Sequence, residues 1–183
     1  MRKWNAVISM LIVVLFFVHA VAGGFNLIGI IPGGNPIFTA LSYLLLGLVV
    51  MHVLIGIKLT IDTVLAKRRA GVFYYKENKM FLARRISGFA IFLLMISHIL
   101  IFMGNEEAGS FRLNYFGKLQ LVAQLLLVLS IAVHIISNIK PVLIAFGIRS
   151  LKEYAADIII IISVLLLFMG LAFCLYYVRW KIF

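Results

Sequence analysis

Long apolar segments alternate with short polar or glycine- and proline-containing stretches along the whole chain. Each segment holds about 20 or more predominantly apolar residues, which at ~1.5 Å per residue suffice to cross ~30 Å of bilayer hydrocarbon. The pattern therefore predicts an all-α integral membrane protein that forms one domain over residues 1–183. The five predicted transmembrane helices cover approximately residues 4–22, 37–65, 81–103, 119–146 and 154–178.

Local signals indicate where two of these helices end or bend. Gly23 and Gly24 follow the first apolar run and open a connector rich in glycine and proline, so they are predicted to end the first helix. Pro141 predicts a kink near the end of the fourth helix. The first segment lacks a small-residue cleavage pattern, so we interpret it as a retained helix rather than a signal peptide.

Composition excludes a soluble globular domain, because 64% of the residues are hydrophobic and the mean hydropathy is +1.16. The net charge of +11 is compatible with nucleic-acid binding. The basic residues cluster at helix ends, however, which is typical of membrane topology, and no nucleic-acid partner is predicted. The single cysteine, Cys174, excludes an internal disulfide and argues against thiolate ligation of a metal.

The distribution of Lys and Arg predicts the orientation. Twelve lie in the amino-terminal segment, the helix 2–3 loop and the helix 4–5 loop, whereas four lie at the opposite ends. By the positive-inside rule, we expect a cytoplasmic amino terminus, an external carboxyl terminus and a multi-pass protein of the cell (cytoplasmic) membrane. The basic and aromatic helix 2–3 loop is the largest cytoplasmic surface, available for a protein partner or for anionic lipid.

The four histidines lie one on each of the first four helices. Their distances from the charged helix ends place His19 and His98 in the outer half of the membrane, and His52 and His134 in the inner half. In an up-down four-helix bundle, helices 1 and 3 are diagonal neighbours, as are helices 2 and 4. The depths therefore predict two pairs that face each other across the bundle.

Two imidazoles that face each other at one depth form the axial ligand set of a b-type haem. We therefore predict two b haems, an outer one bound by His19 and His98 and an inner one bound by His52 and His134, with glycines Gly47, Gly56 and Gly88 leaving room for the macrocycles. Alternatively, membrane histidines serve as hydrogen-bonding core residues or proton relays. Zinc is poorly supported, because no Cys or carboxylate converges with either pair.

Four further residues are candidates to contact haem propionates or quinone: Lys58, Arg84, Arg85 and Ser87. Unpaired propionate charges are unfavourable in a membrane, so nearby cations would stabilise them. The alternative for Lys58 is an interfacial pair with Asp62, four residues away on the same helix face. The alternative for Ser87 is a hydrogen bond to the backbone of its own helix.

The arrangement of five helices with axial histidines on the first four resembles the di-haem cytochrome b subunits of succinate:quinone oxidoreductases. Arg84-Arg85-Ile86-Ser87-Gly88 also looks like that family's entry to helix 3. The resemblance implies haem pairs between helices 1 and 3 and between helices 2 and 4. It also implies a quinone, with menaquinone the expected type, and cytoplasmic flavoprotein and iron–sulfur subunits that carry out the dicarboxylate chemistry.

Two positions depart from patterns found in that family. Ala132 lies two residues before the helix 4 histidine, where some members have a glutamate in a proton path. The connector over residues 23–36 contains no acidic residue, although some members have one in or near it, at the quinol site.

Three functions thus follow from the sequence. The first is a membrane anchor that carries electrons through two haems between a cytoplasmic succinate dehydrogenase or fumarate reductase and quinone. The second is a di-haem cytochrome b of a hydrogenase, formate dehydrogenase or ascorbate-type system. The third is a transporter whose histidines relay protons. Because the chain has no paired carboxylates, nucleophile–base pair or phosphate loop, we expect it to act as a subunit of an enzyme complex rather than to transform a dicarboxylate alone.

Overall fold

The fold consists of five helices that are long and apolar enough to span a membrane, as the hydrophobic pattern predicts. It is a computed structural model that describes residues 2–71, 79–103, 105–107, 110–112, 115–148 and 151–182. The helices are α1 (Arg2–Leu27), α2 (Pro36–Arg69), α3 (Lys79–Phe102), α4 (Lys118–Ala145) and α5 (Leu151–Ile182).

The first helix does not end at Gly23 and Gly24, and that prediction is wrong. α1 continues to Leu27 and ends where Gly29 adopts a positive φ of 82°. The amides of Gly29 and Ile30 donate to the carbonyls of Asn26 and Phe25, which satisfies carbonyls that have no partner within the helix. Two glycines therefore do not suffice to end a helix whose remaining residues are strongly apolar.

Gly24 serves instead as a packing surface for α5. A Cβ atom at this position would overlap Cε1 of Phe168, whose ring also packs against Phe25 with centroids 5.5 Å apart. At Gly23, by contrast, no atom lies within 4 Å of the position of a Cβ. The absence of a side chain is thus needed at only one of the two adjacent glycines.

We expect Gly24→Ala to lower the free energy of unfolding by about 1–3 kcal/mol, because the added methyl group overpacks the contact with Phe168. Gly23→Ala is the matched control, since it adds the same methyl group in open space on the same helix. Thermal unfolding of the two variants in detergent measures the difference. Equal unfolding midpoints would contradict this account of the α1–α5 contact.

The other helix ends lie within a few residues of their predicted positions. α2 begins after Asn35, whose side chain accepts hydrogen bonds from the amides of Ile37 and Phe38. α4 continues through Pro141 to Ala145, and Gly147 follows it with a positive φ of 75°.

A short β-hairpin lies between α3 and α4 and was not predicted. Its strands, β1 (Asn105–Glu107) and β2 (Ser110–Arg112), pair antiparallel, with Glu106 opposite Phe111. Strands of three residues are too short to produce the alternation of polar and apolar positions by which a strand is recognised in sequence.

The helices pack in two pairs that α5 joins. α1 packs against α2, α4 packs against α3, and α5 packs against both α1 and α4. The largest cluster of buried side chains lies among α1, α3, α5 and the segment before α4, and consists of Ala20, Leu27, Ile101, Phe116, Leu165, Met169, Ala172 and Phe173. α2 contains no buried residue and makes extended contact only with α1. α1 also contacts α4 directly, so the two pairs meet there as well as through α5.

Candidate functional site

The histidines meet in the two pairs that their estimated depths group together. The ring centroids of His19 and His98 are 6.0 Å apart, and those of His52 and His134 are 6.2 Å apart. The first pair joins α1 to α3 and the second joins α2 to α4, so each pair spans helices that are not in extended contact. That these pairs bind haem stays a prediction.

In the first pair, both rings have a hydrogen-bond partner at Nδ1. Nδ1 of His19 lies 3.0 Å from Oγ of Ser42, which donates its own proton to the carbonyl of Phe38 at 2.8 Å. With the hydroxyl proton directed to that carbonyl, the oxygen has lone pairs left for a ring N–H. Nδ1 of His98 lies 2.8 Å from Oε1 of Gln124, an amide oxygen that can only accept. From these contacts we assign the proton of both rings to Nδ1.

The second pair follows the same scheme. Nδ1 of His52 lies 3.4 Å from Oγ of Ser9, which donates to the carbonyl of Asn5 at 2.7 Å. Nδ1 of His134 lies 3.2 Å from Oγ of Ser87, which donates to the carbonyl of Arg84 at 3.3 Å. By the same reasoning we assign the proton of both rings to Nδ1, where the carbonyl of Arg84 is a further acceptor for His134.

These bonds leave the second ring nitrogen of every histidine available. Because Nδ1 carries the proton in all four neutral rings, each Nε2 has a free lone pair. Within the described part of the chain, no hydrogen bond reaches Nε2 of any of the four. A metal-binding histidine characteristically donates its other N–H to a neighbouring acceptor, which fixes its tautomer and its orientation.

The rings of each pair make an edge-to-face contact, and the distance between their centroids is also the one expected for two imidazoles opposed across a metal ion. A metal–imidazole bond is about 2 Å long and the ring centre lies about 1.1 Å from the bound nitrogen, so two opposed ligands have centroids about 6 Å apart. The rings of the pairs are inclined by 70° and 89°, which this geometry permits because each ring can rotate about its bond to the metal. Among the residues described, no group of three or more His, Cys, Asp or Glu side chains could hold a metal ion. Two protein ligands suffice for a haem, whose macrocycle supplies four nitrogens, but not for a structural zinc.

The four histidines and their hydrogen-bond partners form two layers along the bundle. Layer A contains His19, Ser42, His98 and Gln124, and layer B contains Ser9, His52, Ser87 and His134. Every one of the helices α1 to α4 contributes one residue to each layer. The two residues from one helix are ten or eleven positions apart, so the layers lie about 15 Å apart along the bundle.

Three members of these layers were missed in the sequence analysis: Ser9, Ser42 and Gln124. The signal that identifies them is the repeated spacing. On each of the four helices a serine or glutamine lies ten or eleven residues from the histidine. Ser87 was singled out as a contact for propionate or quinone, but its hydroxyl faces His134.

The three basic candidates differ in where they lie. Arg85 reaches across from α3 to α2, where its Nη1 donates to the carbonyl of Gly56 at 3.4 Å, one turn beyond His52. Its guanidinium carbon lies 5.0 Å from the ring centre of Phe81, and its Nε is buried without a partner in the described residues.

Arg84 and Lys58 do not reach the layers. Nε of Arg84 donates back to the carbonyl of Met80 on its own helix, and Lys58 is exposed on α2. Asp62 is exposed as well, and no ion pair joins it to Lys58 within the residues that the structure describes.

The small residues on these helices have different surroundings. A Cβ atom on Gly88 would lie 3.3 Å from Cε1 of His134, so this glycine packs directly on the ring. Near Gly56 the closest atom is Nη1 of Arg85 at 3.9 Å, and at Gly47 nothing lies within 4 Å. The space beside Gly47 is therefore open.

A cavity of about 180 Å³ adjoins layer A. Its lining includes three layer A residues and apolar side chains from α3 and α5, namely His19, Ser42, His98, Phe102, Met169 and Phe173. α5 carries no histidine, and its contribution to this region is to close the cavity with apolar groups.

Comparison of the chain with protein families, curated proteins and solved structures finds no match.

Proposed function

We propose that this chain is a di-haem cytochrome b subunit that carries electrons across a membrane between a soluble redox partner and quinone. The observation that carries the proposal is the uniform state of the four histidines. Each has a hydrogen-bonding oxygen beside Nδ1, and each lies about 6 Å from a second such ring across the bundle.

In this proposal His19 and His98 bind one haem, and His52 and His134 bind the other. A haem bound by two imidazoles has no open coordination position, so it supplies one-electron transfer and does not bind oxygen. With the layers about 15 Å apart, the two haems would lie at successive depths of the membrane. The rings of Phe102 and Phe173 pack around His98 and make its surroundings in layer A apolar.

Arg85 suits a carboxylate group at layer B. Its guanidinium is partly buried between α2 and α3, and no ion pair engages it in the residues described. A buried cation is stabilised by an anionic partner, and the propionate of a haem held by His52 and His134 would provide one. We therefore retain Arg85 as the propionate contact and propose no such role for Lys58 or Arg84.

The proton-relay alternative is less well supported by the same contacts. Hydrogen bonds link each histidine to a partner within its own layer, and about 15 Å separates one layer from the other. A relay requires a continuous chain of donors and acceptors, whereas an acceptor beside Nδ1 is characteristic of a metal-binding histidine.

The partners that we propose follow from the resemblance to succinate:quinone oxidoreductases. In this arrangement the amino terminus and the basic end of α2 face the cytoplasm, where an iron–sulfur and a flavoprotein subunit dock. The lipid-compatible faces of the five helices anchor the complex in the membrane.

The test is the haem content of the purified protein. We expect two low-spin b haems per chain by the pyridine haemochrome assay, because the histidines form two complete ligand pairs. A variant with both His19→Ala and His52→Ala breaks both pairs and should contain no bis-imidazole haem. Protein without haem after expression with ample haem supply, or a saturated protein with a single haem, would contradict the proposal.

A further inference from the structure

One of the four imidazole partners differs from the others. The acceptors for His19, His52 and His134 are serine hydroxyls, whereas the acceptor for His98 is the amide oxygen of Gln124. The distance of 2.8 Å is the shortest of the four contacts, which otherwise range from 3.0 to 3.4 Å. An amide oxygen with a short contact is a stronger acceptor than a hydroxyl that is already donating to a carbonyl.

The buried side chain of Gln124 has few polar groups to bind other than the ring of His98. Its side chain is fully buried, with 0% of its surface exposed, and its Nε2 has no hydrogen-bond partner among the described residues. Burying an unpaired amide N–H is unfavourable, so the contact with His98 is the polar interaction that holds this side chain in place. The aromatic rings of Phe102 and Phe173, with centroids 5.0 and 6.5 Å from that of His98, keep the surroundings apolar.

We propose that Gln124 is the positioning residue of layer A. It fixes the orientation of the His98 ring and makes that ring a stronger iron ligand. The reduction potential of the layer A haem is therefore lower than it would be without Gln124. The inference rests on the proposed function. An acceptor at Nδ1–H raises the electron density at Nε2, and a more basic ligand stabilises ferric iron more than ferrous iron. In an apolar environment this hydrogen bond acts more strongly than it would near water.

Two variants test the inference, because one removes the acceptor beside His98 and the other keeps it. Gln124→Leu removes the acceptor and keeps a similar volume, whereas Gln124→Glu keeps an oxygen acceptor at the same position. In an optical redox titration, Gln124→Leu should shift the ferric-to-ferrous ratio of the layer A haem about tenfold toward ferrous at a fixed potential, equivalent to ~59 mV for one electron. Gln124→Glu should leave that potential at or below the native value. The layer B component should not move in either variant.

Gln120→Leu is the matched control. Gln120 lies one turn earlier on α4, and its Oε1 accepts from the backbone amide of Gly117 at 3.1 Å rather than from a histidine. The layer A component is identified as the one that His98→Ala removes. The control should leave its potential unchanged, which separates the loss of an acceptor at His98 from the general loss of a glutamine on α4.

The remaining outcomes also decide the question. Unchanged potentials in Gln124→Leu with both haems bound, or shifts of Gln124→Leu and Gln124→Glu in the same direction, would overturn the inference. If Gln124→Leu loses the layer A haem alone, retention of that haem in Gln124→Glu supports it and loss in both variants overturns it. Absence of haem from the unmodified protein would refute the proposed function itself, which is a distinguishable result.

Discussion

Alanine at His19 and alanine at His98 are expected to abolish the same redox component, and alanine at His52 and at His134 to abolish the other. The rings of each pair lie about 6 Å apart, so the proposed iron takes one ligand from each ring. Without either ligand a haem loses its bis-imidazole state. Each single variant should therefore fall from two low-spin haems to about one per chain, as measured by haem quantitation with optical redox titration.

The pattern of shared losses distinguishes this arrangement from others. Ser163→Ala, at an exposed position of α5 outside both layers, is the control and should keep both components. Loss of one shared component from His19→Ala and His52→Ala would refute the pairing, because these residues belong to different layers.

Reversal of Arg68 and Arg69 to glutamate is expected to release the soluble partner while both haems remain. The two arginines are exposed in the last turn of α2, on the side of layer B that faces away from layer A. Replacing two positive charges by two negative ones opposes an interface that depends on charge complementarity. Affinity purification from native membranes, with a visible spectrum of the product, measures partner retention and haem content together.

Lys118→Glu combined with Lys181→Glu makes the same change of charge at the opposite end of the bundle, where both lysines are exposed. This control should retain the partner. Retention of the partner by the Arg68 and Arg69 variant would contradict docking at this end. A partner that crosslinks only to residues 106–118 would do the same and would weaken the succinate–fumarate assignment. The assignment of haem ligands would stand, because it depends on the histidines alone.

The number of helices and their approximate extent follow from the hydrophobic pattern alone. A segment crossing a membrane must satisfy its backbone hydrogen bonds internally, so about 20 consecutive apolar residues predict a helix without reference to the rest of the fold. Depth is also a local property, since it follows from the distance of a residue to the charged end of its own helix. That is why the grouping of His19 with His98 follows from counting residues.

Other features depend on neighbours that the sequence does not identify. Gly23 and Gly24 look alike in the sequence as helix breakers, and only the contact of Gly24 with Phe168 distinguishes them. Arg84 and Arg85 are adjacent, yet one folds back on its own helix and the other reaches Gly56 on α2. Which of two neighbouring side chains points into a bundle depends on the rotation of the helix about its axis, and that rotation is determined by packing.

The partners of the histidines illustrate the limit most clearly. A serine in an apolar helix satisfies its hydroxyl by donating to a carbonyl of its own preceding turn, as Ser9, Ser42 and Ser87 all do. That bond is predictable from sequence, and it accounts for the hydroxyl without any partner on another helix. The bond to a histidine ring is therefore not predicted, although the lone pairs of the serine oxygen remain free to accept it. The sequence determined the four imidazoles and their depths. Their tautomers can be assigned only from the fold, because a tautomer depends on the acceptor that an adjacent helix brings to Nδ1.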